Sequence, residues 1–154
     1  MNVYVYTLGC RLNQCESEAI ADSITKNGFD VVKDYEDAEI IVVNTCTVTS
    51  KAEQKARRMI RLFSERAKVV IATGCYAEVN REEVEGLGDN IVIFSLGEKA
   101  SILTLPEHIE RMTLSGMETI DAVKSFKKSE RSPFSFDAHS FSYHSRAYLK
   151  IQDG

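Results

Sequence analysis

Residues 38–49 read Ala-Glu-Ile-Ile-Val-Val-Asn-Thr-Cys-Thr-Val-Thr, and this stretch decides the fold. The β-branched centre, Ile40–Val43, is short and continuously apolar, as expected of a strand covered on both faces. It ends in Asn44, Thr45 and Cys46. Ser50 and Glu53 then form the pattern of a helix capping box, and Ala52, Ala56, Met59, Ile60 and Phe63 follow at helical spacing to about Arg66. The unit is strand, turn, helix. Upstream it recurs. Residues 2–7 make a strand that stops at Gly9, and Asn13 with Glu16 reads as a second capping box before Ala19, Ile20 and Ile24, with Gly28 as the stop. Phe29, Val31 and Val32 suggest a short strand. Downstream, residues 68–73 form another buried strand ending at Gly74. A short acidic helix at 81–85, a strand at 91–94 and a helix at 99–111 follow. Such alternation implies the α/β class, with a doubly wound, mainly parallel sheet of Rossmann-like or flavodoxin-like type.

The chain has 154 residues, 44% of them apolar, enough for one core and a tail. Periodicity fades from Thr113. The expected division is a folded domain at 1–112, a linker at 113–145 containing Lys124, Lys127, Lys128 and Arg131, and at 146–154 the first strand of a further domain. The net charge of −4 argues against a surface uniformly adapted to nucleic acid. No segment has the roughly 20 apolar residues of a membrane helix, and the N-terminus lacks the features of a signal peptide. A cytoplasmic protein is expected. Nothing in the pattern indicates an oligomeric state.

In a reducing compartment the four cysteines are metal ligands, redox groups or buried thiols rather than disulfides. Cys10, Cys46 and Cys75 each follow a predicted strand and precede a predicted helix, in Thr-Leu-Gly-Cys, Asn-Thr-Cys-Thr and Thr-Gly-Cys-Tyr. In a parallel sheet all three turns fall on the carboxyl edge, where ligands bind. Helix N-termini there favour thiolates, and thiolates select iron-sulfur clusters, zinc or copper(I). Spacing alone leaves a metal site and three small buried hydrophobes both open. Cys15, in the first turn of the first helix, reads as an ordinary thiol, and His108, His139 and His144 as surface histidines. A structural zinc site and a nucleotide-binding domain with incidental cysteines are the competing readings. The second lacks a Gly-x-Gly-x-x-Gly loop after any strand.

Residues 7–18 (Thr-Leu-Gly-Cys-Arg-Leu-Asn-Gln-Cys-Glu-Ser-Glu), 43–49 (Val-Asn-Thr-Cys-Thr-Val-Thr) and 72–78 (Ala-Thr-Gly-Cys-Tyr-Ala-Glu) resemble the three signatures of the N-terminal domain of radical-SAM methylthiotransferases. The resemblance implies that Cys10, Cys46 and Cys75 bind an auxiliary [4Fe-4S] cluster whose unliganded iron carries the sulfur to be inserted. The ending Lys-Ile-Gln-Asp-Gly is similar to the segment that precedes the family's Cys-x-x-x-Cys-x-x-Cys motif. That motif binds a second [4Fe-4S] cluster, which cleaves S-adenosylmethionine on a barrel domain absent from this sequence. The implied reaction has an adenosyl radical abstract hydrogen from an unreactive C–H bond. Sulfur then transfers from the auxiliary cluster, and another S-adenosylmethionine supplies the methyl group. This segment alone is expected to be inactive. Its motifs look most like the branch acting on N6-threonylcarbamoyladenosine beside the tRNA anticodon. The isopentenyladenosine-tRNA branch is the alternative, and a branch modifying a ribosomal-protein aspartate ranks below both. Cys15 stands where the family pattern does not require cysteine.

Residues 51–68 hold Lys51, Lys55, Arg57, Arg58, Arg61, Arg66 and Lys68 against Glu53 and Glu65, a local excess of five positive charges. Arg57, Arg58 and Arg61 are candidate tRNA contacts. The competing reading is a solvated helix face with pairs such as Arg61 with Glu65. By resemblance, the main tRNA binder lies in a further C-terminal domain. The expected partners are therefore tRNA, chiefly through that domain, and the chain's own radical-SAM domain.

Overall fold

Five short strands line up in parallel in the computed structural model, which describes residues 1–129. They are β1 (Asn2–Thr7), β2 (Asp30–Val31), β3 (Ile40–Thr45), β4 (Val69–Gly74) and β5 (Ile91–Ile93), in the spatial order β2-β1-β3-β4-β5. Strand order reverses between β1 and β3, which makes the sheet doubly wound with its switch point there. β3 and β4 are buried at every position, as their unbroken apolar runs require.

Alternate residues of each strand feed two cores. On one face Val3, Val42 and Ile71 pack with Ile20 and Ile24 of α1 (Arg11–Lys26). Leu105 and Ile109 of α5 (Leu105–Leu114) and Val123 of α6 (Thr119–Lys124) join them. On the other face Ile41, Val43 and Val70 pack with Ala56, Ile60 and Phe63 of α2 (Ser50–Arg66). Phe63 is wholly buried and meets Tyr4, Tyr6 and Tyr35 with ring centroids 5.2 to 6.0 Å apart. No helix among the described residues is long and apolar enough to cross a membrane.

Several local expectations are corrected. Asn13 does not cap the first helix, which starts at Arg11 with Cys10 in the N-cap position and no side-chain cap. Asn13 and Glu16 are instead buried, and both are used in tertiary contacts. The cap of α2 is Thr49 rather than Ser50; its hydroxyl accepts from the Ala52 N–H at 3.1 Å. The expected helix at 99–111 is a 3-10 segment, Lys99–Leu103, followed by α5, because Pro106 cannot continue a helix begun upstream. Two helices escaped the reading, α3 (Cys75–Val79) and α6; the short acidic one, α4 (Arg81–Glu85), forms as expected. α6 falls within the stretch expected as linker, yet Ala122 and Val123 are fully buried. The expected strand at 146–151, with His139, His144 and Arg131, lies outside the described residues.

Candidate metal centre

The register places the three cysteine turns side by side. Asn44 of β3 pairs with Thr7 of β1 on one side and Thr73 of β4 on the other, and Thr45 pairs with Gly74. Cys10, Cys46 and Cys75 therefore follow three adjacent strands at one carboxyl edge.

Two glycines bring these turns close together. Gly9 has φ +112°, and a Cβ built on it would fall 2.3 Å from Cys46 Cβ and 2.6 Å from its Sγ. Gly74 has φ +97°, and its Cβ would meet the Thr45 carbonyl at 2.3 Å. Only glycine tolerates both the dihedral and the proximity. The first turn thus rests on Cys46, and the third on the residue before it.

Polar side chains stitch the same edge. Asn13 Nδ2 donates to Leu8 O at 2.8 Å and to Thr45 O at 3.0 Å. Asn44 Nδ2 donates to Asn13 O at 3.0 Å and to Ser17 Oγ at 3.2 Å. Thr45 Oγ1 donates to Thr73 O at 2.6 Å and accepts from the Ala77 N–H at 3.2 Å. Asn44 Oδ1 and Thr73 Oγ1 are buried without a hydrogen-bond partner among the described residues. Sequence reasoning missed these supports. The signal available was a polar ending on two otherwise apolar strands.

The thiols differ in access. Cys10 is exposed, Cys75 is half-buried and Cys46 is buried. The structure brings the three turns to one rim, but among the described residues no three His, Cys, Asp or Glu side chains form a group that could hold a metal ion. What fits a soft metal or cluster is the donor chemistry, three thiols on adjoining turns whose backbones pack at glycine distance. Cys15 is buried in α1, and burial pushes its thiol pKa up, with Glu16 and Glu18 adding to the effect. That environment suits a packed thiol.

The basic residues divide. Arg57 Nε lies 2.6 Å from Glu83 Oε1, close but poorly aligned for a hydrogen bond, and Glu83 Oε2 accepts from the buried Tyr76 hydroxyl at 3.0 Å. The Tyr76 hydroxyl, then Glu83, raise the Arg57 pKa further. Arg57 is thus engaged in holding α2, α3 and α4 together. Arg58 and Arg61 are exposed. Lys128 packs over the Phe94 ring, 4.7 Å from its centroid and 3.8 Å from Glu98 Oε2, and burial lowers its pKa. His108, expected at the surface, is half-buried: its ring lies 5.2 Å from that of Phe126 and its Nε2 3.1 Å from Ser125 Oγ.

Residues 2–95 match the model of a family described as "Uncharacterized protein family UPF0004". The chain is 43% identical over 110 residues to a threonylcarbamoyladenosine tRNA methylthiotransferase MtaB of Treponema pallidum, a match covering 68% of this chain and 23% of that protein. It is 31% identical to the MtaB of Aquifex aeolicus over 100% of this chain and 37% of the relative. It is also 35% identical to a tRNA-2-methylthio-N(6)-dimethylallyladenosine synthase of Thermotoga petrophila, over 72% of this chain and 25% of the relative. Among solved structures, an archaeal flavodoxin aligns with 80% of this chain and 97% of its own, at 16% identity and a TM-score of 0.47. The chain spans between about a quarter and just over a third of the length of these curated relatives. It belongs to the UPF0004 family, the N-terminal domain of the methylthiotransferases.

Proposed function

We propose that this chain is the sulfur-donor domain of a cytoplasmic radical-SAM tRNA methylthiotransferase that converts N6-threonylcarbamoyladenosine to its 2-methylthio derivative. The observation that carries the reading is the row of cysteine turns after β1, β3 and β4, packed through Gly9 and Gly74. Cys10, Cys46 and Cys75 are the residues to hold a [4Fe-4S] cluster. A [4Fe-4S] cluster held by three thiolates would leave one iron without a protein ligand, the position at which the sulfur for insertion would be carried. Holding it requires the three side chains to turn to a common point. Gly9 and Gly74 set the spacing of the turns, and Asn13, Asn44 and Thr45 keep that spacing fixed. The second cluster, S-adenosylmethionine and most of the tRNA contacts belong to a radical-SAM barrel and further domains of the full-length enzyme, and this segment alone is inactive.

The threonylcarbamoyl branch is favoured by the MtaB relatives at 43% and 31% identity. The dimethylallyl branch is a second reading, favoured by the relative at 35%. Anaerobic reconstitution of the chain with iron and sulfide tests the core of the proposal. A brown protein with cluster absorption, lost when any of Cys10, Cys46 or Cys75 becomes alanine and kept in Cys15→Ala, is expected. Uptake of zinc alone sinks it.

A further inference from the structure

α2 carries a charge pattern that folding does not explain. Its buried residues, Ala56, Ile60 and Phe63, recur at helical spacing and define the side facing the sheet. Lys51, Lys55, Arg58 and Arg61 are exposed and fall on the outward side at the same periodicity. Gln54, Arg57, Arg58, Arg61, Leu62 and Glu65 line an open groove there.

Three features set this stripe apart. First, the stripe stands outside the ion pairs the protein forms, Arg57 with Glu83, Lys68 with Glu39, Arg81 with Glu85, Lys99 with Glu16 and Lys128 with Glu98; exposed cations such as Lys26, Lys33, Lys124 and Lys127 share that lack of an acidic partner among the described residues but do not line one helix face. None of the four stripe residues has an ion-pair partner among the described residues, and Arg61 does not pair with Glu65. Second, Lys51 stands in the first turn, where the helix dipole disfavours cations. Third, Lys51 with Lys55 and Arg58 with Arg61 are like-charge neighbours one turn apart, each unfavourable by about 0.2 to 0.5 kcal/mol. Four repelling cations maintained within a chain of net charge −4 call for an external anion.

The geometry narrows that anion. From Lys51 to Arg61 the helix rises about 15 Å, long enough to follow several successive phosphates of one strand. A bilayer is a poor match, because an interfacial helix needs a free apolar face and that of α2 is packed on the sheet. The stripe also begins just beyond Cys46, so a bound strand would start beside the cysteine rim.

We infer that Lys51, Lys55, Arg58 and Arg61 form a phosphate-backbone contact surface for RNA on this domain, with Arg57 excluded because Glu83 holds it. The choice of RNA over other polyanions rests on the proposed function. The test uses the cluster-free chain, so its outcome is separate from that of iron reconstitution.

A fluorescein-labelled RNA hairpin is titrated by anisotropy across a salt series from about 50 to 200 mM. The charge-removed variant carries K51Q, K55Q, R58Q and R61Q. A control with the same net-charge change carries K26Q, K33Q, K124Q and K127Q, all at exposed positions. Circular dichroism verifies folding, and the single variant R58Q serves if the quadruple variant unfolds. The stripe variant is expected to lose roughly tenfold or more in affinity, and its log-affinity against log-salt slope to become shallower by about 3. The control keeps both values. Equal loss in the two variants, no loss in either, no RNA binding by the wild type, or equal affinity for poly-glutamate or phosphatidylserine vesicles would overturn the inference.

Discussion

Asn44 donates from Nδ2 to the carbonyl of Asn13 at 3.0 Å, while Asn13 donates from its own Nδ2 to Leu8 O and Thr45 O, so two asparagines clasp the first two cysteine turns. Both are buried, and each bond goes to a backbone carbonyl of a buried residue. Asn13→Ala strands two of those carbonyls and is expected to destabilise the domain by about 2 to 3 kcal/mol. Urea denaturation measures it. A shift in midpoint too small for 1 kcal/mol would show the clasp to be incidental.

Gly9 and Gly28 both have positive φ but different surroundings. A methyl group at Gly9 strikes Cys46, whereas nothing lies within 4 Å of the same group at Gly28. Gly28→Ala should cost only the dihedral strain, about 1 to 2 kcal/mol. Gly9→Ala adds an overpacking term of about 1 to 3 kcal/mol. Thermal melts of the two variants should therefore rank Gly9→Ala as the less stable. The reverse order contradicts the close approach of the turns.

Lys99 and Glu16 form a buried ion pair that joins the 3-10 segment before α5 to α1, with side chains 5% and 7% exposed. Lys99→Met takes the buried ammonium away from the Glu16 carboxylate, and a loss of up to about 3 to 5 kcal/mol is expected. Replacing Glu16 by Met as well should recover most of it, because two packed apolar side chains avoid the desolvation penalty. If the double variant is as unstable as the single, the pair contributes something other than charge compensation.

Lys68 hydrogen-bonds Glu39 at 2.6 Å and holds its carboxyl below the ordinary value. A depressed carboxyl pKa adds stability that is present above the unfolded value and lost as pH falls through the folded one. Lys68 is largely solvated and the Glu39 side chain about a third exposed, so the effect is under about 1 kcal/mol. Between about pH 5 and 3 the wild type should therefore lose slightly more stability than Glu39→Gln. Chemical denaturation at several pH values checks the sign.

Access orders the four thiols. At about pH 8, iodoacetamide should label Cys10 first and Cys75 next, with Cys46 and Cys15 last because both are buried. The raised pKa of Cys15 slows it further. Mass spectrometry of timed samples reads the order. Labelling of Cys15 as fast as Cys10 would show that α1 does not shield it.

Local pattern carried much of this protein. The apolar runs at Ile40–Val43 and Val69–Ala72 are strands because β-branched residues covered on both faces leave no amphipathic alternative, and the cysteine turns follow from where those runs stop. The tertiary structure decided what depends on partners far along the chain. Asn13 and Glu16 have the pattern of a local cap, yet their partners, Thr45 and Lys99, lie 32 and 83 residues away and draw them into the interior. Arg57 looks like its neighbours on α2 until Glu83 on α4 takes it. Propensity and capping act over a few residues, whereas burial and charge pairing depend on whatever folding brings alongside. The same letters therefore gave the positions of the strands and of α1, α2 and α4, but not the roles of their polar side chains.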